Sequence, residues 1–279
     1  MSSKNIHEWE KMQSSIEPIN QIIGGFKFSD LVLLTGRSGG GKSTLLRQEV
    51  LYAIENDYSV FMYSSKFSDH QLLRQILFQA AGAWNIEEKS SDTGGSYVIS
   101  SEYAKEQITE QYGKKIILFE NREEKEPDLL SVFKRAYNIF GCRIFAIDDI
   151  TRFYLEEVNA SEKDPILQQE TLISRFKNFA RQFNALIYFV FPPRKNTGEG
   201  IIDNANKALG GKQVALADTI ISVDKYPEKE GNAEGLIKIH KDRFIDEVSN
   251  IDIGFEPKSG RLYSIEQPDF KDYRFSWER

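Results

Sequence analysis

Short blocks of consecutive apolar residues alternate along this chain with longer stretches in which apolar positions recur every three or four residues. The blocks predict strands buried on both faces, and the longer stretches predict amphipathic helices. Leu31 to Thr35, Tyr58 to Tyr63, Lys115 to Phe119, Arg143 to Ile147 and Leu186 to Phe191 read as strands. Helices are predicted through Leu45, Leu46, Val50, Leu51 and Ile54, closed by Asn56 and Asp57, and through Leu72, Leu73, Ile76 and Leu77. Two more run from Leu129 to Phe140 and from about Asp164 to Phe183. Thr219 to Val223, Gly235 to His240 and Val248 to Phe255 supply later strands, the last pair antiparallel. Strand and helix in turn predict an α/β class with a mostly parallel central sheet, helices on both faces and antiparallel C-terminal strands.

The connecting segments carry less pattern. Ile6, Trp9, Met12 and Ile16 fall on one helical stripe over residues 5 to 16, with Pro18 ending it. Such a helix either packs on its own domain or docks as a linker on a neighbouring subunit. Ile22 to Phe26 reads as a tight turn into the first strand, and Glu87 to Ser96 as a polar loop.

The 279 residues, 40% hydrophobic and 28% charged, suit one large domain with short extensions: an N-terminal helix over 1–17, the main domain over 18–264 and a tail over 265–279. No internal repeat or second domain is evident. No apolar run is long enough to span a bilayer, and the polar start (Lys4, Glu8, Glu10) does not read as a signal peptide. The single Cys142 precludes an internal disulfide and a cysteine-rich zinc module, which makes a reducing, cytoplasmic setting the simplest expectation. A net charge of −6 leaves any nucleic-acid contact to local basic loops.

Chemistry enters at Gly36-Arg-Ser-Gly-Gly-Gly-Lys-Ser43, which fits the Walker A pattern at every fixed position and lies between a predicted strand and a predicted helix. Backbone N–H groups of Gly36, Arg37, Ser38, Gly39, Gly40, Gly41, Lys42, Ser43 and Thr44 are placed to curl around the phosphates of ATP. Lys42 would contact the β- and γ-phosphates, and Ser43 would hold Mg²⁺. Asp148 ends the buried run Ile144 to Ile147, as a Walker B aspartate should, and is the second metal ligand expected. Asp149 follows at once, either as a catalytic carboxylate or as a turn residue or helix cap.

Further segments sharpen this picture. Ile22-Ile-Gly-Gly-Phe26 before Leu31-Val-Leu-Leu-Thr-Gly36, Ile147-Asp-Asp-Ile150, Phe191-Pro-Pro-Arg-Lys195, Ala217-Asp-Thr-Ile-Ile221 and Ile239-His-Lys-Asp-Arg-Phe244 occur in the order found in hexameric replicative helicases of the DnaB type. The chain resembles the RecA-like motor domain of that family over roughly residues 17 to 264 and looks closest to the branch of Twinkle and the phage primase-helicases. No segment resembles a primase domain. The resemblance implies ATP hydrolysis coupled to movement on single-stranded DNA by a homo-oligomeric, hexameric ring, with replication proteins as further partners.

It also implies that Arg243 is an arginine finger reaching the γ-phosphate of the adjacent subunit, with Lys241 its companion. The alternative for Arg243 is an ion pair with Asp242 or Asp246. The family's channel-lining loops correspond to Arg194 to Lys212, so Arg194, Lys195, Lys207 and Lys212 are the candidate contacts to DNA phosphates.

Two positions depart from the family pattern. Lys66 stands where the family places the glutamate that polarises the attacking water, and an ammonium is no general base unless burial depresses its pKa strongly. Pro192 stands where a polar γ-phosphate sensor is usual, and it has no side-chain donor. Three explanations stay open: Asp149 replaces the base, Asp69 supplies it in a slightly different register, or the chain binds ATP and hydrolyses it poorly. The functional readings are accordingly a ring motor, a nucleotide-gated assembly module that recruits partners, and a recombinase-like filament former. In the tail, Phe270, Tyr273, Phe275 and Trp277 either pack back on the domain or dock a partner.

Overall fold

A computed structural model describes residues 10–90, 96–119, 128–149, 165–192, 209, 211–243 and 248–278. The first half of the chain contains β1 (Lys11–Met12), α1 (Glu17–Ile23), β2 (Phe26–Lys27), β3 (Leu31–Thr35), α2 (Lys42–Glu55), β4 (Val60–Ser64), α3 (Asp69–Ala81), β5 (Ile86–Ser90), β6 (Ser96–Ser100), α4 (Glu102–Tyr112) and β7 (Ile116–Phe119). Then follow α5 (Leu129–Phe140), β8 (Ile144–Asp148), α6 (Pro165–Phe183), β9 (Leu186–Val190), a short helix α7 (Gly211–Leu216), β10 (Thr219–Glu230), β11 (Ala233–Lys241), β12 (Ser249–Glu256) and β13 (Arg261–Ser264).

Nine strands form the central sheet in the order β13-β12-β11-β10-β3-β9-β8-β4-β7. From β10 to β7 every neighbouring pair is parallel, and β11 to β13 are added antiparallel, as predicted. Alternate residues of the inner strands enter two different cores. Val32, Leu34, Met62, Ala146 and Tyr188 face the layer of α2, α3 and α4. Leu31, Leu33, Phe61, Phe145 and Phe189 face α5 and α6. That second core is aromatic, with Phe133 stacked on Phe145 at 4.3 Å between ring centres.

The helix ends follow from local chemistry. Ser68 and Gln71 form a capping box at the start of α3. Asp128 caps α5 through Leu130 N–H, and Gly141 closes it in the left-handed region. The expected helix over residues 5–16 is corrected where the structure describes it: β1 pairs antiparallel with β2, and Met12 and Ile16 are buried beyond any helix. Ile6 and Trp9 lie outside the described residues. Pro18 lies in the first turn of α1, where its missing N–H costs nothing. The segment read as a polar loop from Glu87 contains the β5–β6 hairpin instead.

Two clasps tie α2 to the far end of the chain. Gln48 pairs with the Leu262 backbone in both directions at 2.9 Å. Glu55 accepts from the Ser276 backbone N–H at 2.8 Å and is bonded by the Tyr112 hydroxyl. Phe270, Phe275 and Trp277 are buried, so the tail packs back on the domain. Arg261, fully buried, donates to the carbonyls of Gln79 (2.9 Å) and Tyr273 (2.6 Å), with the Phe275 ring 5.0 Å from its guanidinium.

Candidate functional site

β3 and β8 both end at the edge formed by the C-terminal ends of the parallel strands, where α/β sheets bind their ligands. The loop leaving β3 turns directly into α2, so Lys42, Ser43 and Thr44 occupy the first turn of that helix. Two of its glycines are dictated by β10 lying behind them. A Cβ at Gly36 or Gly40 would run far inside contact distance of the Val223 carbonyl oxygen. Next to it, the Asp224 carboxylate accepts the Arg37 backbone N–H at 2.7 Å.

Lys42 donates to the carbonyls of Gly36 (2.6 Å) and Arg37 (2.7 Å), which holds its ammonium within its own loop. Burial pushes its pKa down, the charge of Lys66 adds to this, and Asp224, Asp148 and Asp149 oppose it. In front of the loop lies a pocket of about 230 Å³ lined by residues 38–44, Lys66, Asp224, Glu234, Phe255 and Leu262.

Asp148 and Ser64 are register partners on β8 and β4, which brings the turn after β4 onto Asp148. The Ser64 hydroxyl accepts the N–H groups of Lys66 (3.2 Å) and Phe67 (3.3 Å) and folds that turn. The Lys66 ammonium then lies 3.1 Å from Asp148 Oδ1 and 3.3 Å from Asp149 Oδ2. Burial works against its charge, but Asp148 and then Asp149 outweigh it, and its pKa is raised. The depression that would make Lys66 a general base is therefore absent.

Asp149 is also bonded to the Ser65 hydroxyl at 3.3 Å, so both of its oxygens are engaged. The Asp69 carboxylate accepts the His70 N–H at 2.7 Å, in the first turn of α3. Pro192 follows β9 and is exposed.

The donor set fits a divalent cation of the magnesium kind. Asp148 Oδ2 is buried and has no hydrogen-bond partner among the described residues, a costly position that a hard cation relieves. With the Ser43 hydroxyl in the first turn of α2, the loop and β8 offer oxygen donors alone.

Arg243 pairs with Asp218 of its own chain, not with Asp242. Asp218 is buried, accepts the Leu31 N–H at 2.8 Å and also pairs with Lys177, whose pKa is pushed down by burial and by Arg243. Lys241 donates to the carbonyls of Val214 (2.5 Å) and Ala217 (2.6 Å), capping the C-terminal end of α7. Arg194, Lys195 and Lys207 lie outside the described residues, as do Phe244 and Asp246, while Lys212 sits on α7 and not in a loop.

Sequence reasoning missed Asp218 and Asp224. Their signal was present: each flanks the apolar run Thr219 to Val223, and acids at the ends of a buried strand require partners.

Comparison with known proteins agrees with this architecture. The structure described as the ATPase domain of G40P superposes with a TM-score of 0.74 at 15% identity, covering 94% of this chain and 93% of that one. A DnaB-like replicative helicase, described with its interactions with primase, gives 0.70 at 17% identity over 90% of this chain and 61% of its own length. The family model "DnaB-like helicase C terminal domain" matches residues 12–190, more than half of the sequence, and the chain belongs to that family.

Proposed function

We propose that this chain is the nucleotide-driven motor domain of a DnaB-type helicase, binding ATP with Mg²⁺ and acting on single-stranded DNA as a ring of identical subunits. The observation that carries this reading is the meeting of the P-loop, with its Lys42, and the buried Asp148, joined through Lys66, at one edge of a RecA-like sheet. In it, residues 36–44 cradle the phosphates, and Ser43 and Asp148 hold the metal. Arg243, whose side chain is partly exposed, exchanges its Asp218 partner for the γ-phosphate of an adjacent subunit. Lys241 fixes α7 beside it. The basic segment containing Arg194, Lys195, Lys207 and Lys212 follows the DNA phosphates. Primase and other replication proteins are the partner class such a motor serves.

Steady-state ATP hydrolysis with and without single-stranded DNA tests the reading. DNA-stimulated turnover is expected, abolished by Lys42→Ala and lowered by roughly 10³ in Arg243→Ala with nucleotide binding retained. Lys66 on both acids favours a second reading, in which the chain assembles on ATP and turns it over slowly. Nucleotide-dependent assembly without turnover selects that one and refutes the motor. A DNA-stimulated open filament in negative stain points to the recombinase-like alternative.

A further inference from the structure

Lys66 brings a second ammonium into a site that already holds Lys42, and it does so through defined contacts. Its Nζ bridges Asp148 and Asp149 at 3.1 and 3.3 Å, and its side chain lines the same pocket as residues 38–44. Lys42 and Lys66, with Lys225 on the pocket wall, thus stand against four carboxylates, Asp148, Asp149, Asp224 and Glu234. A glutamate in place of Lys66 would make that balance more negative by two charges. A triphosphate entering such an acidic pocket depends on a divalent cation for neutralisation, and one entering beside Lys66 depends on it much less. The Lys66 side chain is 44% exposed, so its ammonium can follow an arriving phosphate without a change of backbone.

We propose that Lys66 is a built-in counter-cation: it lets this site hold a nucleoside triphosphate without a divalent metal, and it competes with that metal for Asp148. The inference rests on reading the P-loop as a nucleotide site. It has a chemical consequence for the protein's behaviour, since binding and metal loading become separable steps.

Binding of a fluorescent ATP analogue to the full chain, followed by anisotropy in Mg²⁺ and again in EDTA, tests this. For the wild type, chelation is expected to weaken affinity by less than about threefold; for Lys66→Ala and Lys66→Glu, by more than about tenfold. Lys66→Arg keeps the cation and should follow the wild type, with melting temperatures showing that each variant folds. A wild type that loses more than about tenfold on chelation overturns the proposal by itself, even if Lys66→Ala does not fold. Lys66→Arg behaving as Lys66→Ala overturns it too. Absence of binding in Mg²⁺ removes the nucleotide-site reading and the inference with it, whereas tight, equally metal-dependent binding in all variants removes only the inference.

Discussion

Glu49 is buried in α2, the helix that begins with Lys42 and Ser43, and no cation among the described residues pairs with it. Its carboxylate accepts from the hydroxyls of Ser14 (2.9 Å) and Ser15 (2.7 Å) and from the Ser15 N–H (3.2 Å). Burial nonetheless dominates and raises its pKa from 4.5 to about 7, with the serine bonds acting in the opposite direction. The folded state therefore binds a proton that the unfolded chain has released between those two values. Stability from this group is fully present below about pH 4.5 and is lost as pH rises through about 7. Each pH unit in that window is worth about 1.4 kcal/mol, so the whole step is of order 3 kcal/mol.

Glu49→Gln keeps the shape and an acceptor for the serines and removes the titration. Urea unfolding of both proteins at several values between pH 5 and pH 8 gives the test. The difference in unfolding free energy, wild type minus variant, should fall by about 2–3 kcal/mol across the range. Parallel pH profiles for the two proteins would show that Glu49 does not titrate in this window.

Two further substitutions probe the frame of the site. Arg261→Met leaves the buried carbonyl of Gln79 and the partly buried one of Tyr273 without their donor, and should cost about 3 kcal/mol in chemical denaturation. Deleting residues 267–279 should be similarly damaging, and unchanged stability would mean that the tail's packing contributes nothing. Gly40→Ala forces the loop away from Val223 on β10, and should weaken nucleotide binding by about tenfold with a loss of about 1–3 kcal/mol. Gly39→Ala meets no atom within 4 Å and costs only its left-handed backbone, about 1 kcal/mol. Equal binding by the two variants would refute the steric argument.

The layered frame was legible because its strands are buried on both faces and its helices on one. Leu31 to Thr35 and Leu129 to Phe140 were predicted with the bounds the structure shows. The β5–β6 hairpin was not, since Ile86–Ser90 reads Ile-Glu-Glu-Lys-Ser and its apolar content is too low to show a period. β1 misled for a different reason: Met12 and Ile16 are four apart, which suits a helix, but their burial comes from a strand and an irregular turn. In the site, the P-loop and Asp148 were visible as local motifs. The bridge from Lys66 to two carboxylates was not, because it depends on the β4–β8 register and on the turn that Ser64 folds. The Asp218 pair with Arg243 likewise joins residues of different strands.

The position of β3 bears on how the protein is made. It is the first strand of the large sheet to leave the ribosome, yet its two neighbours, β9 and β10, begin at Leu186 and Thr219. Throughout synthesis of the intervening 150 residues or so, both of its edges lack their final partners. Pairing β4 with β7 and β8 can proceed meanwhile, so the nascent chain builds one flank of the sheet before the centre closes. The phosphate loop is thus translated well before the strands that shape it. Holding the exposed apolar strand Leu31 to Thr35 out of intermolecular pairing during that delay is a task for chaperones, and slower translation after Leu186 would lengthen the period of risk.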